Sequence, residues 1–204
     1  MALVRPFIYS VCDREYQARY AKAFLRSARH YGHEAKVFCR DDITVTSKDD
    51  MAFFVFWRYE LLPELLKTYP HVLLVDVDSV FQGPALVDDR YDVGIFFRNM
   101  EKDAEKDAGN RTKTLGGVFY CSQKAMPYAD YLSMKMAAAE HVWYADQRVL
   151  YEVFCEIGDQ YRVKHFGNDF IDWHFPTDAP IYTAKGNRKS ELDFLKKKRE
   201  WDRR

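Results

Sequence analysis

The sequence predicts an α/β fold: a mostly parallel central sheet flanked by helices. Three observations lead there. The chain opens with a short apolar run, a stretch with helical spacing and a second apolar run, which is the order of a βαβ unit. A later run, Val72–Val77, is apolar on both alternating sets of positions, the mark of a strand buried on both faces. Helical and extended patterns then keep alternating to the end of the chain.

The elements follow in order. Phe7–Val11 reads as the first buried strand. From about Arg14 to Tyr31, Tyr16, Tyr20, Phe24, Ala28 and Tyr31 recur at helical spacing, and Gly32 provides the stop. Glu34–Cys39 reads as the second strand. Phe53–Lys67 carries Phe56, Leu61, Leu62 and Leu65 on one helical face. Pro63 lacks a backbone N–H, so this segment is expected to break into two. Tyr91–Phe97 and Gly117–Tyr120 read as strands, and Pro127–Glu140 and Asp146–Phe154 as helices. Glu101–Lys113 is highly charged and reads as an exposed loop or short helix, Val163–Pro180 as irregular and aromatic. The last stretch reads as a helix with Leu192, Leu195 and Trp201 on one side.

With 204 residues, one domain over 1–204 is expected, since domains usually run to about 100–200 residues. The 31 basic and 31 acidic residues cancel, so no global field draws the chain to nucleic acid. The charge is uneven, however: residues 188–204 carry a net of +4. That basic segment is either a solvated terminal helix or a docking surface for an anionic partner, such as DNA or a membrane surface. Cys12, Cys39, Cys121 and Cys155 form no CxxC pair, which removes the usual zinc signature. Such isolated thiols fit a reducing compartment. The amino-terminal stretch lacks the pattern of a signal peptide. No window approaches the roughly 18 apolar residues of a membrane span. A cytoplasmic protein is expected, peripheral at a membrane surface if the basic segment docks there. Aromatic residues are 16% of the chain, and helices rich in them could supply a homodimer face.

The chemistry concentrates at Asp76-Val77-Asp78. In open α/β sheets, ligands bind beyond the carboxyl ends of the strands, and this motif follows the most apolar strand. If the strand continues, residues two apart point to one side, so both carboxylates would meet one cation. Hard oxygen ligands suit Mg²⁺ or Mn²⁺, which commonly bind one or two carboxylates plus substrate phosphates. Two enzyme classes use such a pair. In haloacid-dehalogenase-like phosphohydrolases the first Asp is a nucleophile, and Asp76-Val77-Asp78-Ser79-Val80 resembles their D-x-D-x-[TV] pattern. In GT-A glycosyltransferases the pair grips a metal that bridges a nucleotide diphosphate. The only later Asp pair, Asp88-Asp89, follows closely and without its own strand, which leaves a Mg²⁺-dependent phosphohydrolase as the alternative to a glycosyltransferase.

Several segments together resemble GT-A nucleotide-sugar transferases, in particular relatives of glycosyltransferase family 8, over roughly Phe7 to Lys189. Ile8-Tyr9-Ser10-Val11-Cys12-Asp13 resembles their nucleotide-contacting strand and loop. Phe56-Trp57-Arg58-Tyr59-Glu60-Leu61-Leu62-Pro63-Glu64-Leu65-Leu66 resembles the helix before the DxD strand. Phe81-Gln82-Gly83-Pro84 resembles the turn after it. Gly116-Gly117-Val118-Phe119-Tyr120 resembles the strand beside the donor sugar, and Asp146-Gln147 the D-Q that opens a helix facing the reacting carbon. Ala184-Lys185-Gly186-Asn187-Arg188-Lys189 resembles the closing H-x-K-G-x-x-K segment.

The resemblance implies a metal-dependent glycosyltransferase with a donor such as a UDP-sugar. Asp78 is then the principal metal ligand, and Asp76 contacts the ribose and shares the metal. Arg58 orients these carboxylates or meets phosphate. Tyr9, Ser10, Val11, Asp13, Tyr16 and Val77 hold the nucleotide. Gly116 and Gly117 admit the sugar, Asp146 and Gln147 are the catalytic pair, and Lys185 with Gly186 closes over the diphosphate. The family's His ligand has no counterpart at Thr183; His165 and His174 are the nearest in sequence. That gap keeps open a nucleotide-sugar-binding protein without turnover. The acceptor class, whether glycan, protein or nucleic-acid base, is not read from these motifs.

Overall fold

A computed structural model describes residues 2–40, 43, 45–98, 113–172, 178–184 and 189–204. Lys185, Gly186, His174 and positions 101–112 of the charged segment lie outside the described residues.

The chain begins with β1 (Leu3–Val4) and β2 (Phe7–Cys12), the latter buried along its whole length. Asp13 then caps the helix α1, which runs through Arg14–Tyr16, a π turn at Gln17–Ala21 and Lys22–His30. The cap is made by Asp13 Oδ1, which accepts Tyr16 N–H at 2.8 Å. Gly32, at φ 79°, takes the left-handed step that ends the helix and leads to β3 (Ala35–Cys39). The next helix, α2 (Lys48–Glu60), starts earlier than its apolar pattern suggests. Ser47 and Asp50 form a reciprocal capping box that launches it from polar sequence. Pro63 splits the predicted segment as expected: α2 ends, and α3 (Leu62–Thr68) carries the proline in its first turn, where a missing N–H costs nothing.

β4 (His71–Val75), β5 (Ser79–Phe81), β6 (Val87–Asp88) and β7 (Val93–Phe97) follow. β8 (Thr114–Ser122) is longer than the predicted Gly117–Tyr120 and buried throughout. Beyond it come α4 (Met126–Ala138), α5 (Ala145–Ile157) and β9 (Val163–Phe166), then β10 (Ile171–Asp172), β11 (Ile181–Thr183) and α6 (Leu192–Arg203). The segment read as irregular therefore holds two short strands. β9 is only partly covered, and β10 is buried but two residues long, so neither leaves a clear period. The apolar side of α6 is also shifted: Phe194 and Trp201 are buried, while Leu192 is 83% exposed.

The main sheet has the order β3-β2-β4-β8-β7-β9, and only β8 runs against the other five strands. Strand pleating divides its side chains between two cores. Ile8, Leu73 and Val75 face α1 and α6 with Phe24, Phe194 and Trp201. Phe7, Tyr9, Val72, Leu74 and Phe119 face the other helices with Phe56, Leu62, Tyr128 and Val149. The result is three layers, helix–sheet–helix, with a small sheet β10-β11-β5 beside it. β2 and β4 are parallel neighbours, so Asp13 and Asp76 emerge at the same edge. Because β8 is reversed, its beginning, with Gly116 and Gly117, lies at that edge too.

Candidate functional site at the carboxyl edge of the sheet

The strand does not continue through the DxD motif. After Val75 the chain turns, and Ser79 N–H donates to the Asp76 carbonyl at 3.1 Å. The pleat argument for two carboxylates on one side therefore fails, and each meets a different cation. Arg58 Nη1 lies 2.7 Å from Asp76 Oδ1, and Lys189 Nζ lies 2.5 Å from Asp78 Oδ2.

Arg58 is the hub. Its second terminal nitrogen, Nη2, is 2.7 Å from Asp146 Oδ2, and its Nε donates to the Val55 carbonyl at 3.0 Å. The guanidinium fork thus joins α2, the DxD turn and the first turn of α5. Only 6% of the Arg58 side chain and 2% of that of Asp146 are exposed, against 29% for Asp76. Burial opposes the charge on Arg58, but Tyr59, Asp76 and Asp146 around it hold the guanidinium above its ordinary value. Burial pushes the Asp146 carboxyl up, with Arg58 pulling the other way.

The remaining predicted residues divide by position. Tyr9 is fully buried in the core and donates its hydroxyl to the Arg58 carbonyl at 2.8 Å. It supports Arg58's helix rather than facing the open edge, because a strand buried on both faces leaves its interior side chains no route to a ligand. Ser10 and Val11 are likewise interior to β2, and Val77 packs into the core on the α1 side. Asp13 is mostly buried, with one oxygen committed to the α1 cap. Tyr16 is half-buried and its hydroxyl accepts from Lys189 at 3.0 Å. Gly117 accepts from Asp76 N–H at 3.0 Å. At Gly116 a Cβ would lie 2.5 Å from Arg58 Nη2 and closer still to the Asp146 carboxylate. The missing side chain makes room for the ion pair. Gln147 accepts from Arg98 at 3.2 Å through its side chain and from Thr114 at 2.7 Å through its carbonyl. His165 sits on β9 between Phe97 and Phe154, away from the DxD turn in the sheet order.

A strained turn delivers Asp146 and Gln147. Ala145 N–H donates to the Val142 carbonyl at 3.1 Å, and Tyr144 sits at φ 70°, ψ −3°. That is the glycine-favouring third position of a type II turn, and Tyr144 is the only non-glycine at positive φ among the described residues. Three contributors were not singled out from the sequence. Tyr59 donates its hydroxyl to the Gly116 carbonyl at 3.1 Å. Tyr20 lies beside Tyr16 under Lys189, at i and i+4 of one helix. Lys189 itself was visible as the second lysine of the K-G-x-x-K segment.

Among the described residues no cluster of three His, Cys, Asp or Glu side chains could hold a metal ion, and none of their helices is long and apolar enough to cross a membrane. Thr183, at the position where the resembling family carries His, is buried; its hydroxyl and that of Ser79 opposite have no hydrogen-bond partner among the described residues.

No protein-family model and no curated protein matches the chain. Solved structures do. A glycosyltransferase involved in glycosylation of the major capsid of PBCV-1 superposes with a TM-score of 0.63 at 14% identity, covering 98% of this chain and all of that one. The bifunctional glycosyltransferase WbbM gives 0.59 at 11% identity, with this chain spanning 52% of its length. GlyE of Streptococcus pneumoniae TIGR4 gives 0.56 at 13% identity, with 64% of its length spanned. At these identities the likeness establishes architecture: the chain has the GT-A fold of glycosyltransferases.

Proposed function

We propose that this protein is a glycosyltransferase that moves a sugar from a nucleotide diphosphate, UDP in the first instance, to a hydroxyl acceptor. The observation that carries the reading is the Arg58 fork, which gathers Asp76 and Asp146 at the carboxyl edge of the central strand in a GT-A fold. A structural ion pair could stabilise any protein. This one joins α2, the DxD turn and α5 at the edge where α/β sheets bind ligands, and that position supports the reading.

Asp76 and Asp78 are the residues that would hold Mg²⁺ or Mn²⁺. The donor set fits in kind: two hard carboxylates at one turn, with substrate phosphates to complete the coordination. When bound, the ion supplies positive charge to the departing diphosphate. This chain's own residues do the rest. Arg58 fixes the Asp76 carboxylate so that it loses no freedom when the donor arrives. The type II turn and Arg58 together hold Asp146 at the start of α5. There a buried carboxylate can meet sugar hydroxyls and favour positive charge at the anomeric carbon. Gln147, held by Arg98 and Thr114, extends the same surface. Asp13, just after the neighbouring strand, and Tyr16, in the first turn of α1, are the residues we assign to the nucleoside.

The test is release of UDP from a panel of UDP-sugars with Mn²⁺, with and without simple glycoside acceptors. Asp78→Asn is expected to lower turnover at least 100-fold with its melting temperature retained. Wild-type turnover in a folded Asp78→Asn protein would refute the assignment. Sustained UDP-sugar binding with no release would favour a binding protein without turnover.

A further inference from the structure

Lys189, at the start of the described carboxyl-terminal segment, has its charge satisfied by groups of other elements. Its ammonium lies 2.5 Å from Asp78 Oδ2 and donates to the Tyr16 hydroxyl at 3.0 Å. It also sits 4.7 Å from the centre of the Tyr16 ring and 5.8 Å from that of Tyr20. The side chain is 24% exposed, and that of Asp78 only 11%. A carboxylate, a hydroxyl and two ring faces thus surround one ammonium. Asp78 on the DxD turn and the two tyrosines of α1 contribute them.

A divalent ion on Asp78 needs the same carboxylate. Magnesium binds carboxylate oxygen at about 2.0–2.1 Å, and an ammonium hydrogen-bonded to that group would stand within about 4 Å of the ion, at a repulsion that partial burial makes strong. The two cations are therefore rivals for Asp78, whereas Asp76 is held from the other side by Arg58. We propose that Lys189 is the resident cation of Asp78 in the free protein. A divalent ion takes the site only by displacing it, and a nucleotide diphosphate makes that exchange favourable. The diphosphate brings the ion further oxygen ligands and gives the released ammonium a new anion. Metal and nucleotide then bind with positive coupling, and by linkage each raises the affinity of the other by the same factor. The proposal rests on the donor-site reading above, but its first prediction concerns the metal alone.

The experiment titrates Mn²⁺ into the full chain and reads the free hexaaqua ion by electron paramagnetic resonance, with and without UDP. In wild type, Mn²⁺ alone should bind weakly and UDP should tighten it. Lys189→Met, nearly isosteric and uncharged, should bind Mn²⁺ alone about tenfold or more tightly than wild type, with a smaller effect of UDP. Lys189→Arg should stay close to wild type, and Asp78→Asn/Lys189→Met should lose the gain. Thermal melts establish that each variant is folded. If Lys189→Met does not fold, Tyr16→Phe, which removes one hydrogen bond to the ammonium, should still raise Mn²⁺ affinity a few-fold. Equal or weaker Mn²⁺ binding in folded Lys189→Met, or in Tyr16→Phe where that variant stands in, would overturn the proposal. UDP that changes no variant's Mn²⁺ affinity would overturn the coupling and count against the nucleotide reading, while a gain in Lys189→Met would still uphold the exchange.

Discussion

Replacing Arg58 by methionine would leave the buried Asp146 carboxylate without the guanidinium that now sits 2.7 Å away. Removing one partner of a buried pair costs about 3–5 kcal/mol, because the other charge stays buried and uncompensated. Arg58→Met should therefore lower the unfolding free energy by about that amount. Arg58→Met/Asp146→Asn should recover a large part of it, as urea denaturation of the four proteins of the cycle would show. Additive losses would mean the pair is not coupled. Arg58 was legible in the sequence because it falls within a helix that precedes the DxD strand. A contact with a DxD carboxylate was expected as well; the pairing with Asp146 was not. That Asp146 faces Arg58 across 88 residues depends on β8 being reversed and on Gly116 leaving room. Tyr9 shows the opposite limit. A tyrosine near the end of a first strand looks like a ligand for a base, yet pleating turned it into the core beneath Arg58.

At the scale of elements, apolar runs located the main strands and helical spacing most helices, because strands buried on both faces read as continuous apolar runs and helices buried on one face leave a period. Elements whose start depends on polar contacts were harder to bound. The beginning of α2 is set by Ser47 and Asp50, not by apolar residues. Ser47→Ala removes the oxygen that accepts Asp50 N–H at 3.1 Å and should cost about 1 kcal/mol, with α2 fraying from its start. Hydrogen exchange at the amides of the first turn of α2 would report the fraying; unchanged protection would contradict the cap. The DxD turn is the most instructive departure. Nothing in V-L-L-V-D-V-D-S-V marks Val75 as the last strand residue. The turn arises because Asp76 N–H pairs with Gly117 while Ser79 begins a strand against β11. The resemblance pointed to this motif, but the carboxylate geometry is a tertiary property.

At the scale of the whole molecule, one buried histidine ties Pro6, just before β2, to the loop before β6. His33 Nε2 accepts Ala85 N–H at 3.0 Å, so its proton is on Nδ1, which faces the Pro6 carbonyl at 3.2 Å. Burial holds its pKa below the ordinary 6.5. A histidine lowered on folding binds its proton more readily when unfolded. Its contribution is therefore complete above about pH 6.5 and is lost as pH falls below that value toward its folded pKa. His71, also held low mainly by burial, acts in the same direction. Stability measured by urea denaturation should fall between about pH 7 and pH 5. The fall should be shallower in His33→Gln, and an identical slope in that variant would count against this reading. The packing of α6 through Phe194 and Trp201 is a second long-range feature, and it leaves Lys196 and Arg199 on the outer side of that helix. This outer side is where an anionic acceptor or surface would have to meet the basic segment.

We propose that the carboxyl edge of the sheet binds a nucleotide diphosphate through Asp78. The most direct measurement is thermal unfolding with UDP, GDP and their sugar conjugates, each with and without Mn²⁺, in wild type and Asp78→Asn. A ligand at about a hundred times its dissociation constant adds roughly 2.7 kcal/mol. That corresponds to roughly 5–11 °C in a protein of this size. The account predicts such a rise for one nucleotide with Mn²⁺ and its loss in Asp78→Asn. If no nucleotide shifts the midpoint, or Asp78→Asn shifts as wild type does, the donor site is not at this edge.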